Sequence, residues 1–446
     1  MALSPDQRIS LLDAIETDSL IFLCGAGLSI APPSSLPSAV RVANLCFDKR
    51  TAIEPLDGAL RDDIDGLAAV FYARRNFENV FIPLVPWNEL MGMSNEGHAA
   101  VADLLISRAA HSALSANFDR MIEAWAQSLK IDLRGALDGQ QAQTNTTISS
   151  PLVKFHGCID QDRTRTLWTQ GQLTDAVIAQ RIQSCSLWMN LNLPGKHLVV
   201  VGFWSDWDYL NRVFADAFTV RNASAVTVID PSPSASLEAK APVLWAKLNG
   251  LSGTFQHIQE SGAIVLDELR REFSRTWVRR FYALGQPLVD ATTALPLTLA
   301  AGAGAPPSPD TLGNDALYDL RRDAEGLPYT RAATQKSPPL HSEQASYFRL
   351  ALLQEGATES GSWLRHGGSS IRVVNGGGRS LENVQGAYVE SPAMLKPDIT
   401  VCAGSLRTSV PALIIPKGRG LSIVRPAAGS VSRWITLDEA RIELNV

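Results

Sequence analysis

Residues 19–29 read Ser-Leu-Ile-Phe-Leu-Cys-Gly-Ala-Gly-Leu-Ser, an apolar run from Leu20 to Leu23 that leads straight into Gly25-Ala26-Gly27-Leu28-Ser29. A buried strand that ends in small residues and then turns is how an α/β sheet presents backbone amides to a phosphate. Gly-Ala-Gly ends many strands, so the weight of the reading comes from three later segments. These are Ala116-Asn117-Phe118-Asp119, Lys154-Phe155-His156-Gly157 and Val201-Gly202-Phe203-Trp204-Ser205-Asp206. Each follows an apolar run and sets small or reactive residues where a strand should end.

Strands alternate with helices along the first two thirds of the chain. A helix over 5–17 has Ser4 as its cap, Pro5 in the first turn and Gln7 placed to close a capping box. Residues 38–80 carry helical spacing and predict a helical insert over the mouth of the first strand. A helix over 98–109 leads to a strand at 112–116, and Asp119 opens a helix to about 129. Residues 138–150 read as a polar loop, 152–155 as a short strand and 174–191 as a helix. His197–Val201 is the clearest parallel strand, continuously apolar from Leu198 and β-branched. A helix from Asp206 to Phe218, a strand over 225–229 and a helix over 263–283 complete the series. The alternation predicts a parallel α/β sheet with right-handed crossovers.

From 294 the composition changes. Ala, Gly, Pro and Ser dominate 298–308, and Lys336-Ser337-Pro338-Pro339 is a further break. Short strand-like pieces follow at 371–374, 385–389, 398–402, 410–415, 421–424 and 434–437, with Asn375-Gly376-Gly377-Gly378 as a turn. The expected domains are 1–290, a linker over 291–345, and a small β-rich domain over 346–446.

The ordered segments at 25–29, 116–119, 156–157 and 202–205 resemble the sirtuin-like family. Its pattern is Gly-Ala-Gly-x-Ser, then Thr-Asn-x-Asp or Gln-Asn-x-Asp, then His-Gly, then Gly-x-Ser. The resemblance covers roughly residues 15–285, and four motifs in family order are far more specific than any one. It is nearest to the sirtuin-like domains of bacterial anti-phage defence proteins, which degrade NAD. It implies a Rossmann-like parallel sheet carrying a helical insert, with NAD as substrate and no metal.

The resemblance also implies site roles. Asn117 would orient the attacking water and the ribose hydroxyls, and His156 would serve as general base. Asp119 would either hold the loop or cap the following helix. Gly25, Ala26, Gly27 and Ser29 would approach the pyrophosphate, with Gly202 and Ser205 near the adenosine side. The family's Gly-x-Ser is stretched here to Gly-Phe-Trp-Ser. Asp230 would accept from a ribose hydroxyl and favour NAD over NADP, or serve as a turn residue before Pro231. Trp204, Trp207 and Tyr209 would wall the adenine pocket or lie in the core. His98, His111 and His197 read as packing or surface residues.

The 446 residues carry a net charge of −5 at pH 7, with 45% hydrophobic and 19% charged side chains. That balance fits a soluble protein and lacks the basic patch of a nucleic-acid binder. No apolar stretch reaches membrane-spanning length and no secretory signal is present, so the expectation is a cytoplasmic protein. The five cysteines, Cys24, Cys46, Cys158, Cys185 and Cys402, never form Cys-x-x-Cys. Protein-deacylating sirtuins carry a zinc module of two such pairs, which a tetrahedral site requires. The expected activity is therefore NAD hydrolysis to nicotinamide and ADP-ribose, acting as an NAD-depleting effector. A non-catalytic NAD or ADP-ribose sensor is the alternative, and a protein deacylase comes third. Such an effector needs gating, so the expected partners are further copies of the chain or a HerA-type hexameric ATPase, with a short Argonaute as alternative.

Overall fold

Ser4 starts the first helix as its sequence dictates. In the computed structural model, Ser4 Oγ accepts from the Gln7 N–H at 3.3 Å and Gln7 Oε1 accepts from the Ser4 N–H at 2.9 Å, closing the capping box of α1 (Pro5–Glu16). The structure describes residues 2–129, 131–144, 149–204, 215, 223–292, 310–314, 317–318, 321, 344–345, 348–349, 351–353, 355–360, 363–376, 380–387, 397–405 and 432–446. The chain divides into two compact units, Met1–Arg270 and Arg271–Val446. Ser205, Trp207, Tyr209 and the expected helix from Asp206 to Phe218 lie outside the described residues. So do the expected strands at 410–415 and 421–424, and most of the expected linker.

The first unit is built on a seven-stranded sheet, all of it parallel. Its strands are β1 (Leu20–Cys24), β2 (Ser112–Ser115), β3 (Gly135–Ala136), β4 (Leu152–Val153), β5 (His197–Val201), β6 (Ala225–Ile229) and β7 (Phe255–Ile258). Their order across the sheet is β3-β4-β2-β1-β5-β6-β7. β1, β5 and β6 are buried along their whole length, as parallel strands covered on both faces must be. With its flanking helices this is the expected Rossmann-like architecture.

The order reverses direction at β1. The chain builds outward through β2 on one side, then returns to lay β5 on the other. Ligands of open α/β sheets bind outside the carboxyl ends of the strands at such a switch point. Between β1 and β2 lie α2 (Ala39–Thr51), α3 (Ile64–Ala73), the short α4 (Ile82–Leu84) and α5 (Glu96–Ile106). The first three form the expected insert, with its own core of Phe47, Leu67, Phe71, Phe77 and Phe81. Ile159 and Trp168, from the loop after His156, pack into that same core. α5 is buried all round from Gly97 to Ile106.

After β2 come α6 (Met121–Ser128), α7 (Gly139–Thr144) and α8 (Ala176–Asn192). Residues 139–144 are thus helical where a polar loop was expected. Asp138 Oδ1 accepts from the Gln141 N–H at 2.8 Å, and Gly139 lies so close to α8 that a Cβ there would stand 2.7 Å from Trp188 Cβ. A cap and a tertiary contact outweigh the weak propensity of Gln and Thr. The sequence reading also misses β3, β7, α9 (Ser234–Lys240) and α10 (Pro242–Leu251). β7 is a half-buried edge strand that mixes polar and apolar residues, and only pairing with β6 makes it a strand. α11 (Gly262–Thr292) follows.

The second unit holds a separate mixed sheet of β8 (Thr358–Ser360), β9 (Trp363–His366), β10 (Ser369–Asn375), β11 (Ile399–Ala403) and β12 (Arg433–Thr436), in the order β12-β11-β10-β9-β8. β10, β11 and β12 are parallel, whereas β8, β9 and β10 run antiparallel. Residues 385–387 were expected in a strand and instead end α12 (Leu381–Ala387). Leu381 and Val384, three apart, turn one helical face into a cluster with Cys402 and Trp434. α13 (Leu437–Leu444) closes the chain on a capping box from Thr436 and Glu439. Among the described residues, no helix is long and apolar enough to cross a membrane.

Candidate active site

The ends of β1 and β5 meet backbone to backbone. The Gly25 N–H donates to the Val201 carbonyl at 2.9 Å, and the Gly27 N–H donates to the Gly202 carbonyl at 2.8 Å. A Cβ on Gly25 would stand 2.2 Å from Phe203 Cα, and one on Gly27 would stand 2.7 Å from Gly202 Cα. Gly202 itself has φ +56°. The glycines are small because two strand ends cross here. Both of their amides are engaged within the protein, which the expectation of phosphate-facing amides did not foresee.

The crossing carries Ser29 and Asn117 into contact. Asn117 Nδ2 donates to the Gly25 carbonyl at 3.1 Å and to Ser29 Oγ at 3.3 Å. Asn117 Oδ1 is buried and accepts no hydrogen bond among the described residues. Ser29 Oγ donates to Asp119 Oδ2 at 2.9 Å, and Asp119 Oδ1 accepts from the Met121 N–H at 3.0 Å. Asp119 therefore does both things weighed for it: it ties the β2 loop to β1 and it starts α6. The expected direct donation of Ser29 to a phosphate is replaced by donation to Asp119.

Beneath this loop lies Lys154, whose ammonium donates to the Asp119 carbonyl and to Glu123 Oε1, the latter at 3.0 Å. Burial opposes its charge, but Glu123, Cys158 and Asp119 together hold the ammonium above the ordinary lysine range.

His156 follows β4 and is 2% exposed. Its Nδ1 donates to the Ala116 carbonyl at 2.8 Å, so in the neutral ring Nε2 is the basic nitrogen. Burial pushes the imidazole down to about 3, so the ring is neutral at physiological pH. Gly157, at φ +104°, makes the turn that a side chain would resist. The loop then returns, and the Leu167 N–H donates to the His156 carbonyl at 3.0 Å. The ring stacks on Phe118 at 4.7 Å between centroids and 13° between planes, and Phe118 stacks on Trp168 at 4.6 Å. A column of three rings thus fixes the imidazole plane; Phe118 holds only the variable position of its motif, and no motif marked Trp168.

Asp230 ends β6. Its Oδ1 accepts from the Ser232 N–H at 2.8 Å, which is the turn role. Oδ2 makes no hydrogen bond among the described residues, so the turn role does not use up the carboxylate.

A cavity of about 720 Å³ opens over these strand ends. Gly25, Ala26, Gly27, Ser29, Asn117, Asp119, His156, Gly202 and Asp230 all line it, so the fold brings together nine residues drawn from four separate segments and β6. The insert contributes Ser38, Ala39, Val42 and Leu90 to its wall, and Trp204 lines it as well. Ser205 lies outside the described residues. Trp204 is also tied to the fold, its Nε1 donating to the Leu237 carbonyl at 2.6 Å. His197 keeps its packing role, bonded to Thr227 Oγ1 at 2.8 Å inside the sheet. His98 is a buried member of the Ser29 network, with Nε2 3.0 Å from Ser29 Oγ.

No family model matches this sequence, and no curated protein matches it. Among solved structures, one described as "Structural Basis for the Mechanism and Regulation of Sir2 Enzymes" aligns over 61% of this chain and 99% of its own, at 13% identity and a TM-score of 0.31. A likeness that distant carries no weight for the chemistry of the cavity. Sheet order, strand-end crossing and side-chain geometry carry it instead.

Proposed function

We propose that this chain is an NAD hydrolase, releasing nicotinamide and ADP-ribose. The observation that carries the reading is the pairing of Asn117 and His156 on one cavity at the switch point of the sheet. Cleavage of the nicotinamide–ribose bond leaves positive charge on the ribose. The pyridinium departs as neutral nicotinamide with the bonding pair, so no strong acid is required. What the reaction needs is a held water, a base and exclusion of bulk solvent. Asn117 Oδ1 is a buried acceptor able to hold the water or a ribose hydroxyl. Neutral His156 offers Nε2 to take the proton as the water oxygen bonds to C1′. The apolar wall from Val42, Leu90 and Trp168 supports the exclusion of solvent.

Asp230 lies on the same cavity as a carboxylate acceptor for the adenosine-side ribose, which favours NAD over NADP. The family resemblance of the four motifs, with no Cys-x-x-Cys pair, favours hydrolysis over peptide deacylation. On that same resemblance we place the protein among NAD-depleting effectors of anti-phage defence. Its gating would come from self-association or from a hexameric ATPase partner. The test is nicotinamide release from NAD with and without an acetyl-lysine peptide. Release without peptide is expected. Release only with peptide makes it a deacylase, and tight NAD binding without turnover makes it a sensor.

A further inference from the structure

We infer that Phe118 and Trp168 are positioning residues for the reaction, seated by the helical insert, and that together they set His156 against Asn117. The inference rests on the hydrolase reading. Phe118 holds the variable place between Asn117 and Asp119, and Trp168 stands in the loop that follows His156. Neither position is fixed by a motif of the resemblance.

A single hydrogen bond does not aim a ring. His156 Nδ1 donates to the Ala116 carbonyl at 2.8 Å, and that bond alone leaves the imidazole free to swing about the N–H···O line, taking Nε2 with it. Phe118 blocks the swing. Its face lies 13° from the imidazole plane with the centroids 4.7 Å apart, and Trp168 backs its other face at 4.6 Å. The main chain of Phe118 adds a second tie, because its carbonyl accepts from the Ile159 N–H, just beyond His156, at 3.0 Å. One residue thus sets the turn that carries Asn117 against the loop that carries His156, by backbone and by ring.

The insert holds Trp168 in turn. The indole is 2% exposed, its Nε1 donates to Thr166 Oγ1 at 2.7 Å, and the Trp168 backbone N–H donates to Gln172 Oε1 at 2.7 Å. Phe81 and Trp87, both in the core of the insert, meet the indole edge to face with centroids at 5.6 and 6.0 Å. Further along the loop, Gly171 lies so close to α3 that a Cβ there would stand 3.0 Å from Tyr72 Cδ1. Phe118 and Trp168 line the cavity, whereas Phe81 and Trp87 stand outside its lining. The aromatic contacts therefore run unbroken from the imidazole, through two rings on the cavity wall, into a core that substrate does not touch.

The experiment uses the full chain carrying Phe118→Leu, which keeps an apolar side chain and removes the flat face, and Phe118→Tyr, which restores the face. Phe118→Leu is expected to lower kcat for nicotinamide release by about tenfold or more with KM changed less than about twofold. Phe118→Tyr should recover most of the loss. Trp168→Leu, a second break in the column, should also act on kcat; a loss confined to KM makes Trp168 a wall for substrate and overturns its part. Phe81→Leu, off the cavity, should lower kcat by about threefold, and in a Phe118→Leu background it should add little, because its route to His156 is already cut. Full kcat in a folded Phe118→Leu protein, or additive losses in the double variant, overturns the inference. If the wild-type protein turns over no NAD, the hydrolase reading falls, and crystal structures of Phe118→Leu and Phe118→Tyr still decide the positioning. His156 Nδ1 displaced from the Ala116 carbonyl in the first and restored in the second supports it; His156 in place in both refutes it.

Discussion

The Gly27 N–H donates to the Gly202 carbonyl across 2.8 Å, joining the turn after β1 to the turn after β5. The two residues are adjacent only because the sheet reverses its order at β1.

Gly202→Ala is expected to destabilise the first unit by roughly 2–4 kcal/mol. The residue has φ +56°, and its new Cβ would lie 2.5 Å from Leu28 N and 2.7 Å from Gly27 C, all backbone that cannot step aside. Gly195 has φ +72° with nothing near its Cβ position. It is the control, and Gly195→Ala should lose only about 1 kcal/mol. Thermal or denaturant melts compare the two, and equal losses would remove close backbone approach as the reason for Gly202.

Asn117→Ala and His156→Ala should each lower NAD turnover by about 100-fold or more while the fold survives. His156→Ala also removes the end of the ring column, so its melt is the necessary companion measurement. A folded variant that keeps near wild-type turnover would strike that residue from the mechanism.

Stability should fall on acidification below the ordinary imidazole value. Burial pushes His156 down to about 3 and His197 to about 4, from 6.5. As pH drops below about 6.5 the unfolded chain takes up protons that these folded-state rings refuse, so the unfolded state gains. The contribution is fully present above that value and is lost progressively toward pH 4, with a slope of up to about 1.4 kcal/mol per pH unit for each ring. His197→Gln should flatten the curve in chemical-denaturation series at stepped pH. An unchanged slope would mean that His197 is not the group responsible.

Asp230→Ala should weaken NAD binding by about 1–3 kcal/mol and narrow the preference over NADP, because a carboxylate accepts hydroxyls and repels a phosphate. The Ser232 N–H loses its acceptor in that variant, so Asp230→Asn, which keeps an acceptor for the turn, separates the two roles. Identical discrimination between the two nucleotides in all three proteins would leave Asp230 as a turn residue.

Much of this was written in the chain order. Leu20–Cys24 and Leu198–Val201 are short continuous apolar runs, Ala225–Ile229 is broken only by Thr227, and shortness with β-branched content marks such runs as buried strands of a parallel sheet. Ser4 with Gln7 marks a helix start by hydrogen bonds that span three residues. Local chemistry of that kind needs no partner from elsewhere, and it also placed Asn117, Asp119, His156, Gly202 and Asp230 at strand ends.

What the sequence could not hold is which strand end faces which. That Gly27 meets Gly202, that Asn117 bonds to Ser29 88 residues away in the chain, and that Phe118 and Trp168 sandwich toward His156 all follow from sheet order. His98 reads as a packing or surface residue in the sequence, and its contact with Ser29 Oγ at 3.0 Å exists only because the β1 turn is laid against α5. Residues 139–144 became helical and β7 became a strand for the same reason: propensity there is weak, and the energy of tertiary contact is larger than the local preference it overrides.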